Sequence, residues 1–270
     1  MKPTTDFKNM RILVTNDDGI HAPGLRVLEA IARELTDDVW VVAPEVEQSG
    51  AGHSLSIHTP LRFQQYHERR YSVKGTPTDC VLYAVEQLLP AHGKKPDLVL
   101  SGVNRGNNLG EDVTHSGTIA ATMEGTLCGI PSIAFSQAFS MWDPKAQPSW
   151  HLAEKHGAEI VRAIMAHGIP PMVLMNVNFP NLPPATEAKG IRMATQGRRA
   201  GGKQLHERFD NMGRPYYWVN WGDENGQVPA ESDLALVAEG YVTITPIRMD
   251  LTDHALLATM RNVLDRALAD

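Results

Sequence analysis

Short apolar, β-branched runs alternate with longer segments of helical spacing through the first half of the chain, which is the pattern of βαβ units and a parallel sheet. RILVT at 11–15 reads as the first strand and VWVVAP, from Val39 to Pro44, as the second. Between them GLRVLEAIARELT sets Leu25, Leu28, Ile31, Ala32 and Leu35 at helical spacing, after a loop holding Gly19, Pro23 and Gly24. KGTPTDCVLYAVEQLL predicts a second helix, capped by Thr78 or Asp79 and apolar at Val81, Leu82, Val85, Leu88 and Leu89. PDLVLSGVN gives a strand at Leu98 to Leu100. HSGTIAATMEGTLCGIP predicts a helix with a Ser116 cap and a Gly129 stop, and IPSIAFS one more strand.

The second half is less regular. A loop rich in Ser, Pro and Trp leads to the helix HLAEKHGAEIVRAIMAHG, followed by the strand PMVLMNVNFP. From Thr195 to Glu231 the chain is polar, aromatic and glycine-rich without long periodicity, which suggests hairpins projecting from the main sheet rather than a second core. GYVTITPI is a strand and LTDHALLATMRNVLDRAL a terminal amphipathic helix. The expected organisation is a flexible extension over residues 1–10 and a single α/β domain over 11–270. Within it lie a core at about 11–194 and 239–250, a projecting hairpin region at about 195–238 and a terminal helix at about 251–270.

Composition narrows the function. A net charge of −6 over 270 residues, with a sequence pI near 6.0, argues against a protein that grips a nucleic-acid polymer by broad phosphate neutralisation. Two cysteines, Cys80 and Cys128, are too few for a disulfide framework and stand in no zinc-type motif, so a reducing cytoplasm is the simplest compartment. MKPTTDFKNM has no apolar signal region, and no run approaches the roughly 18 apolar residues of a membrane span.

Candidate chemistry sits where strands end. NDDG, following the first strand, places Asp17 beside Asp18, and Gly19 permits the turn that lets both face one site. Two carboxylates so close repel, and a hard divalent cation between them, Mg²⁺ or Mn²⁺, is the simplest resolution. The same residues also suit a plain solvated turn. After the second strand, EQSGAGHS offers the Ser49 hydroxyl and two glycines whose backbone lets an anion approach, or merely a connecting loop. SGVNRGNNLG offers the neutral oxygen of Asn104, and Ser116, Gly117 and Thr118 place hydroxyls and free N–H groups at a helix N-terminus suited to phosphate; Ser116 also serves as an ordinary cap. All three loops follow strands of one sheet and so open on one edge.

Taken together, NDDGIHAPG (Asn16 to Gly24), APxxxQSGxGHS (Ala43 to Ser54), GTPTDC (Gly75 to Cys80), SGVNRGNNLGEDVTHSGTIAATMEG (Ser101 to Gly125), NVNFP (Asn176 to Pro180) and EGYVTITP (Glu239 to Pro246) resemble the SurE family across nearly the whole chain. These are metal-dependent acid phosphatases of nucleoside monophosphates. The resemblance implies a Rossmann-like, largely parallel α/β sheet flanked by helices, with a projecting β-hairpin and C-terminal region exchanged between subunits of a homodimer or homotetramer. It implies one divalent metal ion held by Asp17, Asp18, Ser49 and Asn104. The implied activity is phosphate removal from 5′- and 3′-nucleotides, with some relatives also trimming short polyphosphate; neither a nucleic-acid polymer nor a membrane is a partner. Two departures bear on substrate preference: Glu45-Val46-Glu47 lacks a basic residue common before Gln-Ser-Gly, and His115 stands where Tyr is frequent.

The expected chemistry is metal-assisted phosphomonoester hydrolysis, with Asp17 or Asp18 accepting a proton and Asn104, Ser116, Gly117 and Thr118 holding phosphate. His21 and His53 lie near these loops without an assigned role. An aspartyl-nucleophile phosphatase is the first rival, disfavoured because Asp17 and Asp18 are adjacent rather than spaced as DxD. A nucleotide-binding regulatory protein with little turnover is the second.

Overall fold

Buried runs of Val, Ile and Leu become sheet strands because each can cover apolar surface on both faces at once. The computed structural model describes residues 6–140, 146–199, 203–221 and 228–267. Its strands are β1 (Ile12–Thr15), β2 (Val39–Pro44), β3 (Arg62–His67), β4 (Arg70–Lys74), β5 (Leu98–Arg105), β6 (Ser132–Gln137), β7 (Val173–Phe179), β8 (Ile191–Met193), β9 (Lys203–Phe209), β10 (Pro215–Trp221) and β11 (Val242–Arg248). Its helices are α1 (Pro23–Arg33), α2 (Pro77–Tyr83), α3 (Leu89–Ala91), α4 (Gly117–Leu127), α5 (His151–His167), α6 (Asp233–Ala238) and α7 (His254–Ala267).

One nine-stranded sheet has the order β3-β4-β2-β1-β5-β6-β7-β11-β8. The six strands from β4 to β7 in that order run parallel, while β3 and β11 are antiparallel to their neighbours β4 and β7. Alternation along β1 divides the core: Ile12 and Val14 face α1 and α5, and Leu13 faces the α2 side with Val42 and Val99. Helices thus cover both faces. The chain leaves β1 to build β2 on one side, and β5 pairs with β1 on the other. Their C-terminal ends flank a topological switch point, the place where open α/β sheets bind ligands.

The structure corrects two sequence expectations and adds an element. The cap of α2 is Thr76, not Thr78 or Asp79: its hydroxyl accepts from the Asp79 N–H, and the Asp79 carboxylate accepts from the Thr76 N–H, so Asp79 sits at the third helical position. β5 does not stop at Leu100 but runs to Arg105, which puts Asn104 inside the strand. The β3–β4 hairpin was not expected, because RFQQYH has no apolar face to announce a strand and lies exposed on the sheet edge. Of the ten-residue extension, residues 1–5 lie outside the described residues; Phe7–Asn9 form one 3₁₀ turn and Met10 is buried in the core.

β9 and β10 form a separate antiparallel ribbon. It exposes Leu205, Phe209, Tyr217, Trp218 and Val219, and α7 exposes Leu256, Leu257, Met260 and Val263. Among the described residues no helix is long and apolar enough to cross a membrane.

Asp79 does more than cap. Its buried carboxylate also accepts the Ser56 N–H at 3.0 Å and the Ser56 hydroxyl at 2.7 Å, tying the loop after β2 to α2. Losing a cap costs about 1 kcal/mol, whereas stranding buried donors costs about 1–3 kcal/mol. Thr76→Ala, which also loses the bond from its hydroxyl to the Ser54 carbonyl at 2.8 Å, should still destabilise less than Asp79→Ala, as read from urea unfolding midpoints; equal losses would show that the two Ser56 bonds contribute no more than that one.

Candidate active site

Desolvation dominates the end of β1. Asp17 is 4% exposed, and burial together with the neighbouring Asp18 charge pushes its carboxyl up to about 7. The Thr118 hydroxyl donates to Asp17 Oδ1 at 2.5 Å, and the N–H groups of Asp17 and Thr118 also favour the charged form, without offsetting burial. Asp18 is raised as well, by burial and then by Glu47, against the Arg105 N–H that donates to its Oδ2 at 3.0 Å and the Arg105 charge.

Three segments converge on these carboxylates. Gly19, at φ +96°, turns the chain after the pair, and the Asn16 amide donates to its carbonyl. The loop after β2 is laced to β1 by Ile20 N–H to Pro44 C=O and Gln48 N–H to Asp17 C=O, each 2.8 Å. This brings Ser49 to the site, where its hydroxyl donates to Glu47 Oε1 at 2.8 Å. The third segment is the start of α4, where Ser116 caps the helix by accepting the Ile119 N–H. Gly117 lies so close that a Cβ there would fall 2.7 Å from Asp17 Cβ, so only glycine lets the helix end touch the carboxylate.

A cavity of about 500 Å³ opens beside this cluster, lined by Asp17, Ser49, Asn104, Ser116, His115 and the 105–108 loop, with Val219 of β10 at its rim. Asp18 borders a neighbouring cavity of about 260 Å³ with Glu47 and Trp150, and Arg105 lines both. The structure thus gathers Asp17, Ser49, Asn104 and Ser116 around one space, whereas Asp18 lines the neighbouring one. Thr118 is wholly buried and its hydroxyl is committed to Asp17, so it orients that carboxylate rather than meeting the cavity. His21 instead meets Tyr66 edge-on, and His53 pairs with Glu124 at 3.0 Å.

Several neighbours escaped sequence reasoning. Asp112 lines the cavity and is held by a two-pronged bond from Arg199; burial raises its carboxyl, opposed by that guanidinium. Asn107 and Asn108 line it too. The only sequence signal for any of these was their place in the SGVNRGNNLGEDV block.

The donor set suits a hard divalent cation. Two like-charged carboxylates stand together with raised affinity for protons, and the Asn104 amide spends its N–H on the Gly106 carbonyl, leaving Oδ1 for a ligand. Among the described residues no group of three or more His, Cys, Asp or Glu is placed to hold a metal ion. Asp17 and Asp18 are two such residues, and the quartet expected from the sequence would add the Ser49 hydroxyl and the Asn104 amide to them.

A doubly wound sheet with paired carboxylates and a helix N-terminus at its switch point defines a class: α/β proteins that hold a charged ligand at strand ends. The family model described as Survival protein SurE matches residues 12–203. A 5'-nucleotidase SurE of Methylobacterium radiotolerans is 54% identical over 249 residues, covering 92% of this chain and 96% of the relative. One of Brucella canis is 49% identical over 251 residues, covering 93% and 97%. The crystal structure of the SurE protein from Aquifex aeolicus superposes with a TM-score of 0.80 at 38% identity, covering 94% of this chain and 99% of that one. The chain belongs to the SurE family.

The raised Asp17 carboxyl gives a stability test. Its proton is held more tightly in the folded than in the unfolded protein, so its contribution is full below 3.8 and is lost as pH rises through about 7. In chelator, Asp17 should contribute a fall of about 2–4 kcal/mol across that window, and Asp17→Asn should flatten the slope by that much, leaving the parts due to Asp18, Asp112 and Asp233, whose carboxyls are also raised. Urea midpoints against pH provide the check; an unchanged slope would place the titrating group elsewhere.

Proposed function

We propose that the protein is a divalent-metal-dependent phosphomonoesterase, a hydrolase that converts nucleoside 5′- and 3′-monophosphates to nucleoside and phosphate. Short polyphosphate is a further candidate substrate. The observation that carries this reading is the buried Asp17 and its partner Asp18, set where a cation and a phosphate can meet between strand ends and the start of α4. Names of close relatives support the same activity.

In this reading Asp17, Asp18, Ser49 and Asn104 hold one Mg²⁺ or Mn²⁺ ion. Bound there, the ion would supply positive charge opposite the phosphoryl oxygens and make water a better nucleophile. The protein's own groups do the rest. Thr118 fixes the carboxylate of Asp17, which is the candidate proton acceptor along with Asp18. Asn104, the Ser116 hydroxyl and the Gly117 N–H orient phosphate, while Thr118, whose hydroxyl and N–H both meet Asp17, acts through that carboxylate. His115, at the cavity rim, flanks the cap and carries no assigned proton.

The cavity beside Asp17, about 500 Å³, has room for a nucleoside next to the phosphate position. The exposed apolar ribbon and α7 fit an assembly of two or four copies that exchange these elements, and the compartment proposed is the cytoplasm.

Phosphate release from a panel of nucleoside 5′- and 3′-monophosphates tests the proposal. Release is expected with Mg²⁺ or Mn²⁺ and not with excess chelator, and Asp18→Asn should lower kcat/KM by about 100-fold or more. Tight nucleotide binding without release under any metal would favour the regulatory binding protein instead.

A further inference from the structure

The face of β7 that carries Leu174, Asn176 and Asn178 changes character along its length. Leu174 packs with Val113, Ile119, Ala134 and Ile247, whereas Asn176 and Asn178, both wholly buried, are amides where aliphatic side chains would cost nothing to desolvate. Both amides are spent largely on the backbone of one residue outside the strand. The Asn108 N–H donates to Asn178 Oδ1 at 2.8 Å, while the Asn108 carbonyl accepts from Asn176 Nδ2 at 2.8 Å and Asn178 Nδ2 at 3.1 Å. Asn178 Nδ2 also reaches Asn176 Oδ1 at 3.1 Å, and the Asn108 side chain donates to the buried Ser136 hydroxyl at 2.8 Å.

This grip lies at one end of a short loop whose other end is β5. Asn104, which lines the larger cavity, and Arg105, whose N–H meets Asp18, are the last two residues of β5, and the loop leaves from them; its Gly106 carbonyl accepts from Asn104 Nδ2 at 3.0 Å. Gly106 is tied to the neighbouring strand through its N–H to the Gln137 carbonyl at 3.0 Å. Pairing with β6 sets the backbone of Asn104 and Arg105, opposite Ser136 and Gln137, so what a second anchor adds is the position of the 106–108 loop and of the Gly106 carbonyl that orients the Asn104 amide. Pinned at Asn108 as well, the loop is held at both ends by groups that cannot relax into water. A buried polar network that is fully bonded rigidifies what it holds, at a desolvation cost that an apolar core avoids.

We infer that Asn176 and Asn178 are positioning residues of the active site: by gripping the backbone of Asn108 they fix the 106–108 loop, whose Gly106 carbonyl holds the Asn104 amide in place beside the paired carboxylates. The inference rests on the nucleotidase reading above and assigns a task to the NVNFP segment that the reading leaves idle.

The test compares Asn178→Ala and Asn176→Ala with Val161→Ala, a core truncation beneath α5 that lowers stability without approaching the loop. Mn²⁺ affinity is measured by electron paramagnetic resonance titration without substrate, and kcat and KM are measured for a nucleoside monophosphate, all at a temperature where each variant is folded. The expected result is Mn²⁺ binding weakened by about 10-fold or more and kcat/KM lowered by about 10–100-fold in Asn178→Ala, with a smaller loss in Asn176→Ala. Val161→Ala should match wild type in both. Asn176→Ala keeps the bond to the Asn108 N–H and carries the test if Asn178→Ala does not fold. Asparagine variants that lose thermal stability yet keep Mn²⁺ affinity and kcat/KM within about twofold of wild type would overturn the inference. A wild type that neither binds Mn²⁺ nor releases phosphate would instead overturn the reading beneath it, and the inference with it.

Discussion

Desolvation of Asp17 and Asp18 at the end of β1, with neighbouring negative charge added to it, is the constraint to which the rest of the structure answers. A carboxyl pushed up to about 7 is an unfavourable thing to build, and nearby elements act to moderate it. The Thr118 hydroxyl and N–H, the Arg105 N–H and the Arg105 charge all favour the ionised forms, yet both carboxyls remain raised. What is left is a pair of carboxyls that hold their protons more tightly than usual, the setting on which the proposed cation site rests. The fold supplies the setting cheaply, because a switch point between β1, β2 and β5 brings three loops to one edge without any long-range rearrangement.

The same constraint explains why the surroundings are so tightly fixed. Gly117 lets α4 touch Asp17, Asp79 ties the loop after β2 to α2, and Asn176 with Asn178 clamps the loop after β5. Asp233 belongs to this scaffold: its buried carboxylate accepts the N–H groups of Gly110 at 2.9 Å and Gly197 at 2.8 Å, joining the turn before α4 to the chain that leads into the β9–β10 ribbon. Arg199 reinforces that joint through Asp112. The projecting ribbon meets the same cavity through Val219.

Much of this was legible from the sequence because its signals are local. Strands β1, β2, β6, β7 and β11 and helices α1, α4 and α5 declared themselves through apolar periodicity and flanking caps. The site candidates followed from loop position after strands, and the structure places Asp17, Ser49, Asn104 and Ser116 around one cavity. The misses are equally physical. Thr76-Pro77-Thr78-Asp79 contains the reciprocal cap pattern, but Thr78 and Asp79 masked it by offering capping side chains of their own. Gly102 made the end of β5 look like a loop. Thr118 was expected to face phosphate, yet its side chain is buried against Asp17, a contact between residues 101 positions apart. Likewise the grip of Asn178 on Asn108 spans 70 positions, beyond the reach of any local pattern.

The most direct test of the metal site is crystallographic: crystals soaked in Mn²⁺, with anomalous differences collected near the manganese edge. One strong peak within coordination distance of Asp17, Asp18, Ser49 and Asn104 is the predicted result. Full occupancy of Mn²⁺ elsewhere in the molecule, with the two aspartates empty, would contradict the claim that the buried pair is a cation site.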